Sequence, residues 1–153
     1  MVGCVRKLAG VCGVVLLVAC QSGAPAPVAT APTTPRAAPD RSEDPTTADG
    51  IFTVAQAERG LQLFDDVCSE CHDTGDWTEP GFRGRWKDQS VFQLWYFIND
   101  RMPYEDPWTL TRQQVTDVLT YILQLNRLPA GDAELATDDD SIDDYWITWE
   151  STR

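Results

Sequence analysis

Cys68-Ser69-Glu70-Cys71-His72 decides how the chain is read. Two thiols three positions apart, followed at once by an imidazole, form the C-x-x-C-H pattern of covalent haem attachment. At the end of a helix the two thiols face one porphyrin edge and can add to its two vinyl groups. The next residue then turns its ring toward the iron. Two other readings of the pair fail on what surrounds it. A closed zinc site needs four ligands, and beyond His72 the chain has no further Cys or His. A redox-active dithiol belongs with a strand–helix–strand unit, and no alternating run near the motif predicts one.

A second iron ligand follows by elimination. His72 is the only His, so a second imidazole from the same chain is ruled out. Met1 and Met102 are the only methionines, and Met1 lies in a leader. Met102 stands 30 residues beyond His72 in Arg101-Met102-Pro103, where Pro103 holds it to extended backbone and suits it to reach inward from a loop. The alternative for a lone Met is ordinary core packing.

Around the motif the periodicity is helical. Over 54–68, Ala57, Leu61, Phe64 and Cys68 share one face, with Thr53 as N-cap and Gln56 completing a capping box. Gly60 inside that helix costs about 1 kcal/mol against Ala, which predicts close contact with another helix. A second helix is expected over 89–99, capped by Asp88 or Ser90, with Leu94, Phe97 and Ile98 on its apolar face. A third is expected over 112–126, with a Thr111–Gln114 capping box and a stripe of Val115, Val118, Leu119, Ile122 and Leu125. The class is all-α. Residues 51–130 make the domain, which is small for a self-sufficient core, so a bound apolar cofactor would supply missing volume.

The flanks have their own logic. Residues 1–19 hold Arg6 and Lys7 and then the apolar run 11–19, a signal-peptide pattern too short to span a bilayer comfortably. Leu17-Val18-Ala19-Cys20 resembles a lipobox, which makes Cys20 the expected lipid anchor and the chain an exported, membrane-held protein on the periplasmic side. Residues 20–50, with six prolines from Pro25 to Pro45, lack apolar groups and are expected to be a flexible tether. Residues 131–153, with Asp138-Asp139-Asp140 and Asp143-Asp144, are expected to be a solvated acidic tail, the alternative being that Tyr145, Trp146, Ile147 and Trp149 dock on the domain or on a partner. The formal charge of −12 becomes −14 once Arg6 and Lys7 leave with the leader. That field excludes nucleic acid as a partner and favours redox proteins with a positively charged docking surface.

Four stretches carry a resemblance to the class I c-type cytochromes, over roughly residues 54–128: Ala57-Glu58-Arg59-Gly60 with Phe64 running into the Cys68–His72 motif, Pro80-Gly81-Phe82-Arg83-Gly84, Met102-Pro103, and Leu119-Thr120-Tyr121-Ile122-Leu123. The resemblance implies the cytochrome c fold, with three main helices wrapped around one covalent haem c per chain, and a first helix crossing the last at Gly60. It also implies that the Pro80 carbonyl, in a loop, accepts the ring N–H of His72. The 102–128 stretch and the Leu128-Pro129-Ala130-Gly131 ending look like small cytochrome subunits of quinoprotein-type dehydrogenases.

Trp77, Phe82, Trp86, Trp95, Phe97 and Tyr104 are candidate haem walls, and Arg83, Arg85 and Lys87 candidate partners for its propionates. With His72 and Met102 both on iron no small-molecule substrate could bind. The expectation is then an electron carrier at a membrane surface rather than an enzyme. The rivals are a cytochrome subunit fixed in a dehydrogenase or oxidase complex, and a haem enzyme or sensor with an open sixth position.

Overall fold

The computed structural model describes residues 43–150. The leader, Cys20 and the tether up to residue 42 lie outside the described residues. Five α-helices follow one another: α1 (Val54–Leu63), α2 (Pro80–Trp86), α3 (Val91–Arg101), α4 (Arg112–Leu125) and α5 (Asp139–Asp143). Among the described residues no strand forms, and two isolated bridges join Trp146 to Thr46 and to Ser90. No described helix is long and apolar enough to cross a membrane.

The capping signals act as their chemistry dictates at Thr53 and Thr111, whose hydroxyls accept from the backbone N–H three residues on. Gln114 completes the Thr111 box. Gln56 does not complete the Thr53 box. It is fully buried, and its side-chain amide donates to Leu135 O (3.0 Å) while its Oε1 accepts from Leu135 N (2.8 Å). An amide that satisfies both halves of a buried peptide is worth more to the fold than an exposed cap.

Helices α1 and α4 cross at Gly60. A Cβ there would overlap the carbonyl oxygen of Asp117 and press on Tyr121 Cβ, so only Gly lets the backbones meet. Arg59 spans the same crossing. It forms a fork with Asp117 (3.0 and 3.0 Å) and another with Glu134 (2.8 and 2.9 Å). Asp117 is buried, and Gln113 also donates to it. The paired carboxylates raise the Arg59 pKa, Glu134 foremost, and Arg59 in turn holds the Glu134 carboxyl below its ordinary range.

Three expectations change. Pro80–Trp86 is a helix rather than a loop, because proline is preset for the first helical position and Glu79 leads in from extended backbone. The domain begins earlier than residue 51: Thr46 caps the 3-10 turn Thr47–Asp49, and Gly50 turns the chain at φ +75°. The described part of the expected tail, residues 131–150, is not solvated. Leu135, Ile142, Ile147 and Trp149 are buried in the core. Backbone bonds tie it down: Asp88 N to Ile147 O (2.9 Å), Ile147 N to Gln89 O (2.8 Å) and Val91 N to Tyr145 O (2.9 Å). Its acids face outward while its aromatic and aliphatic residues point in, so the acidic composition masked a strap.

Gly60→Ala gains helix propensity of about 1 kcal/mol but forces backbone apart at a close crossing, a net cost of about 1–3 kcal/mol. Thermal unfolding followed by circular dichroism is expected to show Tm lowered by on the order of 10 °C. Arg59→Ala leaves the buried Asp117 without its cation, a loss of about 1–3 kcal/mol. A carboxyl held below its ordinary range, as Glu134 is, stabilises the fold above that range and ceases to as pH falls through its folded pKa. The stability gap between wild type and Arg59→Ala is therefore expected to narrow under acid, measured by urea unfolding at successive pH values.

Candidate functional site

At the end of α1 the helix widens. Phe64–Cys68 form a π turn closed by Ser69 N donating to Phe64 O (2.8 Å). Such single π turns recur at functional sites. Here the extra residue ends the helix so that Cys71 N (3.1 Å) and His72 N (3.0 Å) both donate to Cys68 O. The motif is thus folded into one tight turn, with Phe64 buried behind it.

Cys68, Cys71 and His72 open on an apolar cleft whose other walls are Phe64, Trp77, Ile98, Met102, Leu110 and their neighbours, from the π turn after α1, the 3-10 turn Thr74–Trp77, α3, the loop after it and α4. Part of its space is continuous with solvent. Met102 caps the C-terminus of α3 in extended backbone (φ −130°, ψ 139°), as its neighbour Pro103 requires. The turn of residues 68–72 and the start of the loop that follows α3 therefore bring two thiols, one imidazole and one thioether to a single apolar space. That donor set suits a haem: soft sulfur and nitrogen for iron, thiols for vinyl groups, and aromatic walls for the macrocycle.

The Cys68 thiol is pushed up to about 11 by burial. A thiol-exchange pair needs the opposite, a lowered pKa that exposes thiolate, so the dithiol reading loses its chemistry here. His72 is half-buried, edge-on to Trp77 (5.1 Å between ring centroids). Its Nδ1 lies 3.5 Å from Asp76 Oδ2. Asp76 also accepts from Asp73 N (3.1 Å) in the capping box of the 3-10 turn Thr74–Trp77. With the proton on Nδ1, Nε2 keeps its lone pair for a metal. Pro80 makes no hydrogen bond with His72 and does not line the cleft, because it opens α2. Asp76 is the residue the sequence reading missed. Its signal was the Asp73–Asp76 spacing of a capping box immediately after the motif.

The aromatic candidates divide. Trp77 and Tyr104 line the cleft, while Phe82, Trp86 and Phe97 line an adjoining pocket that His72 and Met102 also reach. Trp95 lies elsewhere in the core and donates to Thr116 Oγ1 (2.9 Å). The cations divide too. Arg83 donates to Trp149 O (2.9 Å), and Lys87 lies 4.0 Å from Glu150. Arg85 lies over the rings of Trp86 and Phe97 and lines the adjoining pocket.

Residues 55–122 match the family described as cytochrome C oxidase, cbb3-type, subunit III. The match spans α1, the motif, the cleft and most of α4. It names an oxidase subunit, where the sequence resemblance pointed to dehydrogenase subunits. Among curated proteins and among solved structures, nothing matches.

A denaturing gel stained for haem is expected to show the stain travelling with the wild-type chain and lost from a Cys68→Ala/Cys71→Ala double variant. Intact-mass measurement gives the same answer independently, as one haem added per wild-type chain.

Proposed function

We propose, from the premise that residues 55–122 are a class I c-type cytochrome domain with covalently bound haem c, that this protein carries single electrons between redox proteins at the periplasmic face of a membrane. The observation that supports it most is the convergence of Cys68, Cys71, His72 and Met102 on one apolar cleft. When bound, haem supplies a one-electron iron couple. Cys68 and Cys71 supply the thiols of its two thioether links. His72, with Asp76 beside its Nδ1, and Met102 would hold the iron. Phe64, Trp77, Ile98 and Val118 exclude water from the site and keep its dielectric low.

The roles of these side chains are passive once the protein is assembled. A thioether ligand favours the reduced metal, and apolar walls disfavour the additional charge of the oxidised one, so both raise the potential. With both His72 and Met102 on the iron, no substrate site would be left, and the chemistry the haem would supply is electron tunnelling. Lipid on Cys20 would hold the domain at the membrane, and residues 21–42 would set its reach. A second reading, a cytochrome subunit fixed within an oxidase complex, draws on the description of the matching family. The chemistry is shared, and the two differ in whether the protein leaves its partner.

The visible spectrum of the reduced mature protein, taken with and without carbon monoxide, tests the ligand set. It is expected not to change on adding the gas, while Met102→Ala begins to bind it. Ready binding by the wild type would take Met102 off the iron and bring the enzyme or sensor reading forward.

A further inference from the structure

The loop that follows Met102 has two sides. Met102, Pro103, Tyr104 and Leu110 line the cleft. On the other side Trp108 stands 59% exposed, its ring edge-on to Tyr96 of α3 (6.3 Å between centroids), itself 47% exposed. Phe92 continues the row, 6.0 Å from Tyr96. Trp108 sits at φ +70°, in the left-handed region. A bulky side chain is a genuine outlier there, and such strain collects at functional positions. The local structure holds it all the same: Asp106 N donates to Pro103 O (3.2 Å) and Thr109 Oγ1 to Asp106 O (2.9 Å). Strained backbone thus presents a large aromatic to solvent, on the segment that carries the sixth ligand.

Arg85 and Arg101 line a groove together with Phe92 and Tyr96, whereas on the loop that carries Trp108 the charge has one sign. Glu105 and Asp106 are exposed beside Trp108, and no Lys or Arg occurs between Met102 and Thr111. Arg101 is already paired with Asp100 (2.8 Å). Across the cleft mouth, every charged residue from 60 to 82 is an acid, and all six are exposed.

We propose that the Trp108–Tyr96 face, rimmed by Glu105 and Asp106, is where a redox protein with an apolar centre and a Lys/Arg rim docks to exchange electrons. The proposal rests on the electron-carrier reading above and assigns that reading a surface. Exposed Trp and Tyr are the residues that anchor interfaces. An indole face also attracts Lys and Arg directly, and acids at the rim speed the encounter with a cationic partner. A partner seated there meets the loop that carries Met102.

The test uses the haem-loaded full chain, reduced and mixed by stopped flow with an oxidised basic monohaem cytochrome c as probe, at several salt concentrations. Trp108→Ala is expected to slow the second-order rate by about tenfold. Glu105→Gln/Asp106→Asn is expected to slow it at low salt and to flatten its salt dependence. A charge-matched control, Asp143→Asn/Asp144→Asn, should change it less than about twofold, since general charge is only weakly felt beyond a Debye length. Oxidation by the small neutral reagent 1,4-benzoquinone should be unaltered in all three. A wild-type rate for Trp108→Ala with the basic cytochrome would overturn the proposal. So would an equal loss in the charge-matched control, or wild-type dimerisation that Trp108→Ala abolishes, which would make a second copy the occupant. Failure of the wild type to be oxidised by either reagent would instead sink the carrier reading itself.

Discussion

The crossing of α1 and α4 at Gly60 is the contact on which the other elements depend. It lets two backbones meet where any side chain would collide with the Asp117 carbonyl. Everything downstream on α1 is aimed by it. The π turn at Phe64–Cys68 begins four residues after Gly60, so the angle of the crossing fixes where the motif turn lies relative to Val118 and Ile122 of α4. Those two residues line the same cleft as Cys68 and His72. Arg59, with a carboxylate on α4 and another on the C-terminal segment, locks the angle from the solvent side, where apolar packing has nothing left to bury.

A small domain pays for a cleft of this kind with lost core. The C-terminal segment makes part of that good. Ile142 and Ile147 are almost fully buried, and Trp149 packs against Phe82 while its indole N–H donates to Arg83 O (2.7 Å). That bond ties the last described residues to α2, whose Phe82 packs in turn on Trp77 (5.5 Å) in the cleft wall. One aromatic chain therefore runs from the end of the protein to the side chain beside His72. The strap keeps in place a wall that the short α2 could not hold alone, since isolated helices of seven residues are marginal in water.

How much of this was legible depended on whether a signal was local. The caps at Thr53 and Thr111 and most of the helical stripes needed only near neighbours and stand as read, although Leu61 of the first helix's expected face is exposed. Gly60 was legible because a helix-interior glycine is costly unless a partner approaches. Pro80 was misread because a resemblance was preferred to the intrinsic preference of proline for a helix start. Gln56 and the segment 131–150 were missed for a different reason. The partner of Gln56 lies 79 residues away, and the strap alternates exposed acids with buried apolar groups at irregular intervals. A composition average sees the acids, and no period reveals the rest. Asp76 falls between: its capping box was local, but its place beside His72 Nδ1 depends on a turn that periodicity does not describe.

The distribution of charge argues for function independently of the cleft. A uniformly acidic surface would provide solubility and nothing more. Arg59 and Arg112 pair with acids and Arg83 binds the strap, while Arg85 lies over aromatic rings and lines the pocket that His72 and Met102 also reach. The acids around residues 65–79 and 105–106 are left largely uncompensated. In the proposed reading, an acidic rim would favour the charge on an oxidised iron and so would oppose the apolar walls and a Met102 thioether. A cationic partner docked at such a rim would offset that effect.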